Sequence, residues 1–130
     1  MSDQGYQTSE ISGDYKVTNV KNFIDAFNQR DLEKMLSLVS HDMQWFFING
    51  DKLIHETANR SELSLAMEKY FSDCETCQSR LVKLISSNAR VSAIEEASWD
   101  SDKERKSQRS LSVYEFEGEL IKRVYYFPEE

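Results

Sequence analysis

One proline and four glycines among 130 residues leave little material for a flexible linker or a low-complexity tract, so the chain reads as one domain. No apolar run approaches the ~20 residues of a membrane-spanning helix, and no membrane partner is expected. Basic residues are also in short supply. Sixteen Lys and Arg stand against 23 Asp and Glu, a net charge of −7. That balance lacks the positive footprint that nucleic acid or an anionic membrane would require. The opening stretch MSDQGYQTSEISGDY has no apolar core of a signal peptide. We therefore expect a cytoplasmic protein, with residues 1–14 as a flexible N-terminal arm and residues 15–130 as a single domain.

Histidine and cysteine are equally scarce. His41 and His55 are the two histidines, and Cys74 and Cys77 the two cysteines. A C-x-x-C motif can be a redox pair or half of a zinc site. Here it lacks a second ligand pair, and it closes a helical stretch instead of opening one. It reads as structural or incidental, and no metal or cofactor is expected. The spacing yields no Ser-His-Asp set either.

What the sequence does hold is periodicity. Val20, Phe23, Ile24 and Phe27 repeat with the 3.6-residue period of a helix, predicted from Thr18 or Asn19 to Asn28. Leu32, Met35, Leu36 and Val39 repeat it in a second helix, which Asp31 can cap. Residues 43–48, MQWFFI, then read as a strand with Asn49-Gly50 as its turn, and residues 52–54 can pair back across it. A third helix is predicted over residues 59–72, with Leu63, Ala66, Met67 and Tyr70 as its apolar stripe and Asn59 and Glu62 spaced as a capping box. Four strands follow, at residues 80–86, 91–99, 106–116 and 120–127. The expected turns are Ser87-Asn88, Asp100-Ser101-Asp102 and Glu117-Gly118. Short turns make successive strands antiparallel neighbours. Helices first and a meander last give an α+β domain.

This order resembles the nuclear-transport-factor-two-like superfamily, which includes ketosteroid isomerase, scytalone dehydratase and the SnoaL-like polyketide cyclases. The resemblance runs over about residues 18–128. It is carried by Phe23-Ile24-Asp25-Ala26-Phe27-Asn28, by Asp31-Leu32, by Leu36 to Asp42 and by the Leu120 to Phe127 ending. It implies a conical, cystatin-like α+β barrel, with three N-terminal helices packed on a strongly curved, mainly antiparallel mixed sheet. It also implies a pocket between helices and sheet, and often a homodimer. It implies no single reaction, since one fold carries many functions. The isomerase's general-base Asp falls at Phe47, its oxyanion-hole Tyr at Phe23 and its protonated Asp at Ser112. Phenylalanine can neither accept a proton nor stabilise an oxyanion, so ketosteroid isomerase activity is not expected.

Period-two alternation then assigns faces. On the inward side we expect Met43, Trp45 and Phe47 from the first strand, and Val91, Ala93, Glu95, Ala97 and Trp99 from the fourth. Ser112, Tyr114 and Phe116, with Ile121, Arg123, Tyr125 and Phe127, complete the inward set. The expected ligand-binding residues are Trp45, Phe47, Trp99, Ser112, Tyr114, Arg123 and Phe127. Glu95, His55 and Tyr114 are the candidates for acid–base chemistry, with Arg123 as a cation beside Glu95. The first expectation is a domain that binds a small apolar or weakly acidic molecule. One rival is an isomerase, dehydratase or cyclase using Glu95 or His55. The other is a homodimeric interaction module with a vestigial pocket, docking through Leu111, Val113, Val124 and Tyr126.

Overall fold

The computed structural model describes residues 14–128. Apart from Asp14, the expected arm lies outside the described residues. The first helix, α1 (Tyr15–Gln29), begins a turn earlier than its apolar stripe suggests, because Asp14 caps it. One Asp14 oxygen accepts from the Lys16 backbone N–H at 3.0 Å and the other from Ser86 Oγ at 2.6 Å. Thr18 and Asn19 are thus inside the helix, and the Asn19 amide reaches the Glu119 carbonyl instead. The earlier start adds Val17 to the buried stripe of Val20, Phe23 and Ile24. Burying a side chain of this kind stabilises by about 1.5–3 kcal/mol.

Helix α1 ends on Arg30, which is left-handed at φ 62°. The Arg30 N–H bonds the Phe27 carbonyl and the Asp31 N–H bonds the Ala26 carbonyl, the paired closure normally built on glycine. Asp31 then caps α2 (Leu32–Ser37) by accepting from the Lys34 N–H. Val39, expected to extend that helix, instead opens β1 (Val39–Asn49). A two-residue turn starting at Gly50, φ 65°, leads into β2 (Lys52–Thr57). Asn59 caps α3 (Arg60–Asp73), while the Glu62 side chain reaches back to the Ala58 N–H. Cys74 ends α3, and Cys74 and Cys77 form a disulfide.

The remaining strands are β3 (Gln78–Ser87), β4 (Arg90–Ser101), β5 (Glu104–Glu117) and β6 (Leu120–Pro128). The β4–β5 hairpin runs further than expected, and its turn is Asp102-Lys103, both with positive φ. All six strands form one curved sheet in the order β2-β1-β6-β5-β4-β3. Neighbours are antiparallel except β1 and β6, which run parallel. The helices cover one face of this sheet, completing the conical α+β barrel. The core lies between the two layers, where Val20, Met35, Val39, Met43, Ile121 and Val124 are wholly buried.

Two of the sheet's irregularities decide on which face the expected site residues of β6 and β2 fall. In β6, Arg123 lies opposite Glu115 but Ile121 lies opposite Phe116, so Lys122 is an extra residue. An extra residue reverses the facing of everything beyond it. Ile121 points inward as expected. After the bulge Val124 and Tyr126 turn inward, and Arg123, Tyr125 and Phe127 turn outward. In β2, Thr57 pairs with Trp45 but His55 pairs with Phe46, leaving Glu56 as the extra residue. His55 therefore joins the outer face.

Candidate functional site

The helices do not fill the concave face. A cavity of about 270 Å³ remains between α1, α3 and the sheet. Its walls are rich in aromatic rings, because inward positions of α1, β1, α3, β5 and β6 carry them. Phe23 of α1 packs toward Trp45 of β1, ring centroids 6.3 Å apart. Phe47 stacks on Tyr126 at 5.7 Å, and Phe27 meets Tyr70 of α3 at 5.5 Å. Leu63 and Met67 of α3 supply aliphatic surface. Ala66 and Tyr70 are exposed, so the mouth lies along α3.

Thr57 of β2 is buried in the cavity lining, and the charged group deep in the cavity is Glu95, placed at the middle of β4 and only 8% exposed. Its Oε2 accepts a short hydrogen bond from the Tyr114 hydroxyl, which comes from the neighbouring strand β5. Its Oε1 has a single long contact, from Ser79 Oγ at 3.4 Å. Ser79 is itself fixed by Asn28, whose amide both donates to the Ser79 carbonyl and accepts from the Ser79 N–H, each at 2.8 Å. Burial raises the Glu95 pKa above the ordinary carboxylate value, and the approach of Tyr114, Ser112 and Ser79 offsets only part of that rise. Ser112 acts by proximity, since its hydroxyl completes no well-formed hydrogen bond. Tyr114 is buried beside the same carboxyl, and both effects push its phenol well above its usual range. A buried carboxyl with a phenol on one oxygen and an under-coordinated second oxygen can hold a polar ligand atom, or pass a proton to it.

Of the residues expected here, Trp45, Phe47, Glu95 and Tyr114 do line the cavity. Ser112 is buried beside them. Trp99 shares the face of Glu95 but stands four residues along β4, opposite Lys106 and beyond the cavity lining. Arg123 is on the other side of the sheet. It pairs with Glu115 at 2.6 Å, as does Arg90 at 2.9 Å. Burial opposes ionisation of Glu115, yet these two cations outweigh it and hold its pKa below the ordinary value. The expected Glu95–Arg123 pair therefore does not exist. Phe127 is turned outward by the same bulge, and His55 stacks outside on Phe46 with centroids 4.7 Å apart. Val124 and Tyr126, expected on the outer face, belong to the core and the cavity.

Sequence reasoning also passed over several lining residues. Tyr126 required knowledge of the bulge at Lys122. Met67 and Tyr70 stood plainly in the apolar stripe of α3, and only their role as cavity wall was missing. Ser79 and Glu56 carried no signal, because an extra residue and a side-chain clamp put them there. Among the described residues no group of His, Cys, Asp and Glu is arranged to hold a metal ion.

The family model of the SnoaL-like domain matches residues 20–124. The chain belongs to the SnoaL-like domain family. No curated protein matches this SnoaL-like chain. Its fold is shared with solved structures of low sequence identity. Bal32a, from a soil-derived mobile gene cassette, superposes with a TM-score of 0.78 at 16% identity, covering 89% of this chain and 90% of that one. An uncharacterised cystatin-fold protein from Novosphingobium aromaticivorans gives 0.73 at 16%, over 85% and 96%. An epoxide hydrolase from M. tuberculosis gives 0.72 at 11%, over 88% and 83%. At these identities the likeness is one of fold, the nuclear-transport-factor-two-like fold.

Proposed function

We propose that this SnoaL-like domain binds a small, mainly apolar molecule in the cavity, with one polar group of the ligand meeting Glu95. The observation that carries this reading is an aromatic cavity of about 270 Å³ with a single deeply buried carboxyl in its wall. Its size is near the lower end of the ~300–1,000 Å³ common for small-molecule sites, and its make-up of apolar walls with a few polar groups is typical of them. With Arg123 outside, the lining offers a carboxylate ligand no cation, so the weakly acidic class loses its support.

Tryptophan emission tests binding. Trp45 lines the cavity and Trp99 does not, so Trp99→Phe leaves one reporter in the site. Neutral alcohols and ketones carrying a benzyl or cyclohexyl group should change Trp45 emission saturably. Filling the cavity by Ala97→Phe should remove the change while the protein stays folded by circular dichroism. Emission that drifts without saturating, or that ignores Ala97→Phe, would count against the cavity as a binding site.

The Glu95–Tyr114 pair favours a second reading, an enzyme in which Glu95 moves a proton. A group used in this way needs a pKa shifted toward neutrality, and burial shifts Glu95 in that direction. The similar epoxide hydrolase is an enzyme on this fold. Turnover of a bound compound that Glu95→Gln abolishes without loss of binding would establish this reading.

A further inference from the structure

We propose that the molecule this cavity selects is an organic cation, an amine with an apolar body, whose ammonium group is received by Glu95 among aromatic rings. The inference rests on the cavity being a binding site and goes on to the charge of its ligand. Three observations carry it. The first is the charge of the lining. Glu95 stands in its wall and Glu56 at its exposed edge, and no Lys, Arg or His among the described residues lines it. Arg30 stacks near Phe27, but its guanidinium is committed to backbone carbonyls and it is not part of the lining.

The second observation is the coordination of Glu95. Tyr114 fills Oε2, whereas the hydrogen bond to Oε1 is the 3.4 Å one from Ser79, and Ser112 stands near the carboxyl without completing a bond. An ammonium group has three donors and no acceptor, which suits an oxygen with a vacant lone pair. The third is the wall itself. Trp45, Phe23, Phe47, Tyr126 and Tyr70 present ring surface to the same space. Ring faces carry the negative part of the aromatic quadrupole, and cages of such faces receive alkylammonium groups. A carboxylate buried with a phenol and no positive partner lacks the counter-charge that such groups ordinarily have. The amine would supply it. An anionic ligand would meet two carboxylates instead, and a neutral one would offer Glu95 a hydrogen bond without the opposite charge.

The test uses three compounds of one shape: cyclohexylmethylamine, cyclohexylmethanol and cyclohexanecarboxylate. Each is titrated at neutral pH into Trp99→Phe protein while the Trp45 indole N–H resonance is followed. The amine should bind at least about tenfold tighter than the alcohol, a difference of about 1.4 kcal/mol, and the acid weakest. Glu95→Gln should bring the amine to within about threefold of the alcohol, or about 0.65 kcal/mol, while alcohol binding persists and shows the cavity intact. Glu56→Gln should change the ratio less than Glu95→Gln does, because its carboxyl is exposed. Equal affinities for amine and alcohol, tighter binding of the acid, or an amine preference that survives Glu95→Gln would overturn the proposal and leave the binding site standing. Absence of saturable binding by all three would overturn both.

Discussion

At the scale of the residue, the unusual feature is Glu95. A carboxyl whose pKa is raised by folding binds its proton more readily in the folded state than in the unfolded chain. Its contribution to stability is fully present below the ordinary carboxylate value. It is lost as pH rises from that value through the raised one. Asp14 and Glu115 have lowered values and act in the opposite sense, losing their contributions as pH falls through the acid range. In urea unfolding across mildly acid to neutral pH, wild-type stability should decline relative to Glu95→Gln. Two parallel profiles would mean that the carboxyl titrates as if exposed. That Glu95 was legible at all came from alternation, since residues 91–99 are a regular strand with no extra residue and the one acid among Val91, Ala93 and Ala97 had to face inward. Its partner was legible in the same way, because Tyr114 lies on the regular part of β5. Arg123 was misplaced because its side is fixed by a bulge, and Lys122 looks like any solvent-facing strand residue.

At the scale of the element, α1 is tied to the disulfide loop by one side chain. Arg30 donates to the carbonyls of Cys74, Glu75 and Cys77 at 3.2, 3.0 and 2.8 Å. Its backbone occupies a left-handed conformation that an L-residue adopts at a cost of about 1–2 kcal/mol. The guanidinium contacts offset that cost, which is why an arginine stands where glycine is usual. Arg30→Met keeps the backbone cost and loses the contacts, and should destabilise by about 1.5–3 kcal/mol in urea unfolding. Arg30→Gly loses the contacts but relaxes the backbone, so it should be the milder change. If Gly is as harmful as Met, the backbone conformation carries no cost. A disulfide persists in oxidising compartments and opens to a dithiol in the cytoplasm. With reductant present the loop would depend more on Arg30, and the Arg30→Met deficit should grow. The helices were readable as helices because their apolar stripes repeat cleanly. Their ends were less so, since Asp14 as a cap competes with Thr18 and Asn19, which look equally suitable. The β4–β5 turn slipped for a similar reason: Asp100, Ser101 and Asp102 all suit a turn, and hairpin twist selected the pair Asp102-Lys103.

At the scale of the whole molecule, the sheet has an outer face on which none of the described helices lies. Leu111 and Phe127 face each other there, 39% and 37% exposed, with Val113, Tyr125 and Phe46 as the next row across the strands. Apolar surface of this kind commonly marks an interface. We expect a homodimer through this face, seen as twice the monomer mass in light scattering at micromolar concentration. Leu111→Lys combined with Phe127→Lys should yield the monomer. A wild-type protein already monomeric would assign the face no such role. The position of β6 in the sheet has a different consequence, one of timing. It is the last of the described elements to be synthesised, yet it lies between β1 and β5. Until it emerges, the β1–β2 ribbon and the β3–β5 meander are separate fragments, each with an open edge that can recruit a wrong strand. A nascent chain halted before residue 120 has Trp45 and Glu95 on pieces of sheet that no strand joins. The cavity wall carrying Tyr126 is installed in the same event that unites them, so the domain acquires its sheet and its cavity together, once β6 has been made.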